Sequence, residues 1–522
     1  MVIEMLSGQK IIRGVYRDSV ALMRISAELR ELPGVLEASM IMATGANLEL
    51  LREAGLLDQN FAAAPNDLLI AVQARDRKSV DAALAQAEAA LAETEALTLT
   101  ASTTDIAPRS TEMALDGFPE ANLALISCPG EYAGAEAHKA LRLGLDVMIF
   151  SDNVPLEEEV ALKQLAKETD RLLMGPDCGT AIVNGVPLGF ANVVARGDIG
   201  VIAASGTGLQ QVTCLVDKLG CGISQAFGTG GRDLSAAVGG LTMLRGLKIL
   251  ASEENTRVIT LISKPPAPRV AKKILSVAAK CGKPVVVNFL GAKAEVPQQG
   301  NIFQVDTLEQ AAHMAVALSS GREVSVTALP RHCLEQPEVT RIVANLSETQ
   351  KFVRGLYSGG TFCYEALLLL EQDIGPVNSL SPQKRNQKLK DIWSSTGNTV
   401  LDLGDDLFTR GRPHPMIDHR LRHDRILQEA RDGETAVILL DVVIGYGSHG
   451  NPADEVAVSI AAALETEKRG GVVPIFITFV CGTKGDPQNL ARQEEILRNA
   501  GAIVVESNAQ AVRLASDILS RR

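Results

Sequence analysis

One turn recurs in this chain, and its recurrence limits the possible folds more than any other feature. Ile202–Thr213 reads IAASGTGLQQVT: an apolar strand-like run, a Ser-Gly-Thr-Gly turn, then a helical pattern. About 150 residues later Arg354–Leu368, RGLYSGGTFCYEALL, repeats that order. The neighbours recur as well. SQAFGTGGRDLS answers to TVLDLGDDLFTRG, VITLISKPPAP to AVILLDVVIGYGSHGNPA, and KPVVVNFLGAK to VPIFITFVCGTKG. Landmarks in one order predict two similar open α/β domains, 194–325 and 350–522. The near-continuous apolar strands, each followed by a helix, predict parallel sheets covered on both faces. In such sheets ligands bind beyond the carboxyl ends of the strands, where the Gly-rich turns fall.

Composition removes several function classes. The 522 residues have a 46% apolar share, ample for buried cores, but only 3% aromatic residues. That leaves little for stacking single-stranded nucleic acid. A net charge of −11 and a pI near 5.3 repel nucleic acid and anionic membrane. Apolar runs of about seven to ten residues are too short to span a bilayer, and the first residues lack a signal-peptide pattern. The eight cysteines form no CxxC pair, which fits free thiols in a reducing cytoplasm. The seven histidines show no ligand spacing, so no structural zinc is expected and no metal site is assigned.

Residues 1–95 alternate strand and helix in a short unit, which predicts a small ferredoxin-like α+β domain. The Ser/Thr-rich stretch 96–117 reads as a linker. Strand–helix alternation then resumes over 118–193. The predicted fold is therefore α/β: tandem Rossmann- or flavodoxin-like parallel-sheet domains behind a small α+β domain.

A helix N-terminus offers unpaired N–H groups and roughly half a positive charge. Glycine lets an anion approach the backbone, and Ser or Thr adds a hydroxyl donor. Ser205, Gly206, Thr207 and Gly208, with Ser358, Gly359, Gly360 and Thr361, thus read as two anion cradles able to grip one phosphate. Simple helix capping is the other reading of each turn. Gly230, Gly231 and Arg232 of GTGGRD add backbone donors and a cation, unless they form only a Gly-rich turn.

GPDCGTAIVNG (175–185), the ASGTG turn and FGTGGRDL (227–234) resemble the α subunit of succinyl-CoA synthetase. SGGTFCYEA and LDLGDD (401–406) are similar to loops of its β-subunit ligase domain. With DDLFTRGRPHPMID (405–418), the chain nearly end to end resembles the FdrA family of acyl-CoA-synthetase-like proteins. The resemblance implies a partial CoA-binding-like Rossmann domain at 118–193, an α-like ligase domain at 194–325 and a β-like one at 350–522. In that superfamily paired helix N-termini hold a phosphorylated histidine. Here the corresponding loop reads KAEVPQQGNIFQVDT and contains no histidine. Lys264 of ISKPPAP stands near the place of the glutamate that meets that histidine, and no ATP-grasp region is recognisable.

For the FdrA branch the resemblance implies carbamoyl transfer between oxalurate and phosphate, giving carbamoyl phosphate and oxamate, together with partner subunits. On that reading phosphate or carbamoyl phosphate is substrate and no cofactor is assigned. CoA or ATP enters only if the chain serves an ADP-forming acyl-CoA ligase whose histidine or nucleotide site lies on a partner. A noncatalytic scaffold binding an acyl phosphate is the third reading. A small anionic substrate and either a hetero-oligomer or a homodimer are expected. For chemistry, Asp405 and Asp406 are candidates to hold a metal, orient an acceptor amide or cap the next segment. Arg410, Arg412 and His414 crowd a Pro-stiffened loop ending in Asp418. His414 is the general-base candidate, Arg412 an anion grip, Lys264 a charge stabiliser, and His449 a second imidazole. The other histidines read as surface or packing residues.

Overall fold

The computed structural model describes residues 6–522 except 16, 18, 58–60, 100–107, 293–299, 323–328, 330, 383–384, 410–412 and 468–471. The chain divides into two compact units: Met1–Pro155 with Asp405–Asp418, and Leu156–Gly404 with His419–Arg522.

The first unit opens with strands Leu6–Ile12, Val35–Met42 and Leu68–Ala74 in one antiparallel sheet, the third strand central. Its central strand is buried on both faces because both faces are covered. Leu68, Ile70 and Val72 pack with Leu22, Ile25 and Leu29 of helix Ser19–Arg30 and with Ala83 and Ala87 of helix Arg77–Leu99. Leu69 and Ala71 face the opposite way, onto Leu48 and Leu51 of helix Gly45–Glu53. This is the small α+β domain expected of the N-terminal residues. The stretch 96–117, read as a linker, is instead partly helical. Helix Arg77–Leu99 runs into it, and a short helix, Thr111–Gly117, closes it with Ser110 as N-cap. Strand Leu123–Ile126 then pairs in parallel with Asp146–Ile149.

The second unit holds two seven-stranded sheets. In the first, parallel strands run in the order Ile302–Gln304, Val285–Phe289, Val258–Ser263, Arg196–Ala203, Ile223–Gly228. A hairpin, Thr180–Val183 and Val186–Gly189, extends that sheet antiparallel to its edge. The expected boundary at 193 is therefore misplaced: 180–189 belongs to the sheet that follows it. The second sheet is parallel throughout, in the order Gln387–Lys388, Asn378–Ser379, Thr399–Asp402, Phe352–Tyr357, Thr435–Val443, Ile475–Cys481, Ile503–Val505.

Both sheets are wound alike. The first parallel strand of each, Arg196–Ala203 or Phe352–Tyr357, lies between a strand that follows it and one reached by crossing back. That is a topological switch point, where loops on either side diverge and leave a crevice. From each switch-point strand the chain passes directly into a helix, Gly206–Lys218 or Gly360–Ile374. The repeat read in the sequence is thus a repeat of topology, and both Ser-Gly turns sit at the crevice.

Candidate functional site: two facing helix N-termini

The two turns meet. Ser205 Oγ and Thr361 Oγ1 are hydrogen-bonded to each other across the two halves. A Cβ on Gly359 would come within 3.0 Å of Thr207 Cγ2 and 2.6 Å of the Phe362 ring. Glycine at that position is what lets the second turn approach the first. Ser205 is N-cap of the Gly206–Lys218 helix, its Oγ accepting the Gly208 N–H at 2.9 Å. The Gly206 and Thr207 N–H groups, and those of Gly360 and Thr361, find no acceptor among the described residues. Gly206 is exposed, Ser205, Thr207 and Gly360 are half-buried, and Thr361 is buried.

Helix register, rather than the Ser-Gly string, aligns the halves. The helices begin at Gly206 and Gly360, so Thr207 matches Thr361, and Ser205 matches Gly359. Ser358 matches Ala204. Its expected role as a phosphate contact is corrected accordingly. Ser358 is buried, and both its N–H and its Oγ–H donate to Asp441, each at 2.8 Å. The Gly359 N–H also donates to Asp441, at 2.9 Å. Gly208 is likewise a capped residue and not an open donor.

Asp441 lies in strand Thr435–Val443, which is buried throughout, and its other partner is the Arg422 guanidinium at 2.8 Å. Both are at most 1% exposed. Arg422 Nε and Nη1, and the Tyr357 hydroxyl beside them, have no hydrogen-bond partner among the described residues. Burial lowers the Arg422 pKa, with Asp441 opposing that shift. Burial first, then the Asp441 charge, pushes the Tyr357 phenol well above its ordinary range. No residue of this cluster was read as functional in the sequence. An Asp inside VILLDVV signals a buried charge needing a partner, and Arg422 in the RLRHDR run is that partner.

The remaining candidates are placed as follows. Lys264, at the end of strand Val258–Ser263, is exposed, with its ammonium 5.7 Å from the centre of the Tyr364 ring. Tyr364 lies one turn into the second helix, so Lys264 adds its charge near the twin turns. Gly230 has φ +82° and sits so close to Pro176 O that a Cβ would lie 2.2 Å away. Arg232 is paired with Glu159 at 2.8 Å. Asp233 binds the Thr242 and Met243 N–H groups and Lys163. The GTGGRD loop thus caps helix Leu241–Ser252 through Asp233, while Gly231 and Arg232 stay exposed.

Asp405, Asp406, His414 and Asp418 belong to the first unit, whereas the twin turns belong to the second. Asp405 Oδ1 accepts the Leu407 N–H at 3.0 Å and so caps the short helix Asp406–Thr409, the capping alternative. Asp406 is exposed. His414 Nδ1 accepts the Met416 N–H at 3.2 Å. Asp418 forms an ion pair with Arg30 at 2.6 Å, both side chains largely buried. Arg410 and Arg412 lie outside the described residues. His449 Nδ1 accepts the Asn451 N–H at 3.1 Å, and its ring meets His419 edge to face at 5.4 Å. No helix among the described residues is long and apolar enough to cross a membrane.

Two parallel sheets with facing helix N-termini at their switch points place the chain in the succinyl-CoA-ligase-like class, and comparison with known proteins agrees. Residues 356–518 match the CoA-ligase family, and 195–291 match the CoA binding domain. The latter match falls on the segment expected to be an α-like ligase domain, rather than on 118–193. Residues 5–106 match the AllF heavy metal-associated domain. That segment contains no cysteine and no histidine, so it has the domain without thiolate or imidazole ligands. The chain is 42% identical over 508 residues to the uncharacterised Escherichia coli protein YahF, covering 97% of each chain. It is 27% identical over 217 residues to a succinate–CoA ligase [ADP-forming] α subunit of Archaeoglobus fulgidus, covering 40% of this chain and 73% of that one. An acetyl-coenzyme A synthetase structure from Ca. Korarchaeum cryptofilum aligns over 77% of this chain and 83% of its own, at 14% identity and TM-score 0.32. The chain belongs to the FdrA family of acyl-CoA-synthetase-like proteins.

Proposed function

We propose that this chain holds phosphate or an acyl phosphate between its two helix N-termini and acts with partner subunits in carbamoyl transfer. The observation that carries the reading is the Ser205–Thr361 contact, which brings the helix starts carrying the N–H groups of Gly206, Thr207, Gly360 and Thr361 together. Two helix ends add their partial positive charges there, and the hydroxyls add donors. In the reaction, a phosphate oxygen attacks the terminal ureido carbonyl carbon of oxalurate. The bond from that carbon to the oxamate nitrogen breaks, and the proton carried by phosphate passes to the departing nitrogen. The products are carbamoyl phosphate and oxamate. Preorganised donors stabilise the charge that develops on the reacting oxygens and need no phosphorylated histidine. The test is phosphate-dependent breakdown of oxalurate by the chain with its partner subunits, without ATP or CoA. Turnover supports the reading, and strict dependence on ATP and CoA rejects it.

The second reading is a subunit of an ADP-forming acyl-CoA ligase, with the phosphohistidine or nucleotide site on a partner. The CoA-ligase and CoA-binding matches favour it. CoA- and ATP-dependent acyl-CoA formation in a reconstituted complex distinguishes it from the first.

A further inference from the structure

The second turn carries an anion of its own. Ser358 and Gly359, which immediately precede the open donors of Gly360 and Thr361, have their N–H groups bound by the Asp441 carboxylate. A carboxylate there orders the turn but opposes any phosphate bound one residue further on. Arg422 is set against that same carboxylate. It is buried to 1% although Nε and Nη1 have no partner among the described residues, an arrangement that is costly for folding alone. The first half has no such device. Ile202 pairs with Leu261 and Leu356 with Leu440, so the place of Asp441 is taken by Ile262.

We propose that Asp441 and Arg422 are positioning residues: Asp441 fixes the second turn so that its helix donors face the anion, and Arg422 cancels the charge of Asp441 so that the cradle stays attractive. The proposal rests on the phosphate-holding reading above. It makes the two residues act in opposite directions on one ligand, which a purely structural pair does not.

The experiment is calorimetric titration of the full chain with inorganic phosphate, for wild type, Asp441→Asn, Arg422→Met and the double variant, with folded fraction checked by circular dichroism. Asp441→Asn keeps one acceptor oxygen for the turn, whose two amides are held by different oxygens of the carboxylate. It leaves Arg422 unopposed, so phosphate affinity rises, on the order of tenfold for one unit charge nearby. Arg422→Met leaves Asp441 unopposed, and affinity falls by a similar factor. The double variant returns to within about threefold of wild type. Affinity that falls or stays unchanged in Asp441→Asn overturns the proposal, and that variant decides the matter even where Arg422→Met fails to fold. A wild type whose phosphate binding is lost in Ser205→Ala/Thr361→Val but indifferent to Asp441→Asn retains the phosphate-holding reading and rejects only this proposal. Absence of phosphate binding in wild type and Asp441→Asn alike rejects both.

Discussion

Where the first sheet places Ile262 behind its turn, the second places Asp441, and where the first has Gly200 in its switch-point strand, the second has Arg354. The two halves share strand order and helix placement, yet one switch-point strand is packed with apolar side chains and the other with ions. Gly200 sits against Leu250 and Thr256, with room for no side chain. Arg354 is buried to 1% and binds Glu429 at 2.9 Å, Asp432 at 2.7 Å and the Gly397 carbonyl. Topology therefore does not fix the interior. It fixes where the helix N-termini point, and each half meets that requirement with a different chemistry.

The largest expected effect tests the ionic interior. Arg354→Met leaves Glu429 and Asp432 short of a counter-charge and should cost about 3–5 kcal/mol of stability. Chemical denaturation measures it, and a cost under about 1 kcal/mol would show that the second half tolerates an apolar interior like the first.

Next comes the shared opening. Ser205→Ala with Thr361→Val removes both hydroxyls and should lower phosphate-dependent turnover by about 10²–10³. Ser358→Ala, which breaks a buried bond to Asp441, should cost about 1–3 kcal/mol of stability without that loss of turnover per folded molecule. Equal catalytic effects from the two changes would restore the Ser205–Ser358 equivalence that helix register argues against.

The junction of the halves has a pH dependence. Glu365 of the second helix accepts the Leu308 N–H at 2.8 Å and Asn508 Nδ2 at 2.8 Å. Burial first, and the neighbouring Glu309 charge, raise its pKa to about 7, against hydrogen bonds that lower it. The folded state thus holds this proton more tightly than the unfolded chain. Its contribution is full below the ordinary carboxylate range, near pH 4.5, and is lost as pH rises through about 7. The size is at most on the order of 3 kcal/mol. Glu365→Gln should remove this component, so the variant gains on wild type at pH 8 relative to pH 5 in denaturation midpoints. A wild-type-like pH profile would refute the assignment.

The smallest effect separates the two helix starts. A Cβ on Gly360 would lie 2.3 Å from Asp402 Oδ2, whereas one on Gly206 would lie 3.3 Å from Thr180 Oγ1. Gly360→Ala should therefore weaken phosphate binding more than Gly206→Ala, by about threefold to tenfold. The reverse order in titrations would mean that Asp402 yields freely.

The repeat, the parallel sheets and the twin turns were legible in the sequence because strand periodicity, Gly and Ser report local geometry. The N-terminal α+β unit was legible for the same reason. The partner of each polar group was not. Ser358 looks like Ser205 in a string, but helix register makes it the counterpart of Ala204. Arg232 looks like an anion grip until Glu159, more than 70 residues earlier, is seen to hold it. Asp418 reads as part of a reactive loop until Arg30 is found against it. Asp441 and Arg422 stayed hidden because a charge in an apolar strand names no partner, and theirs is fixed only by packing.

The most direct measurement is a crystal structure of the full chain with inorganic phosphate. The account predicts one phosphate within hydrogen-bond distance of N–H groups from both helix starts, Gly206 or Thr207 on one side and Gly360 or Thr361 on the other. Phosphate bound only elsewhere, or touching one helix start alone, would contradict it.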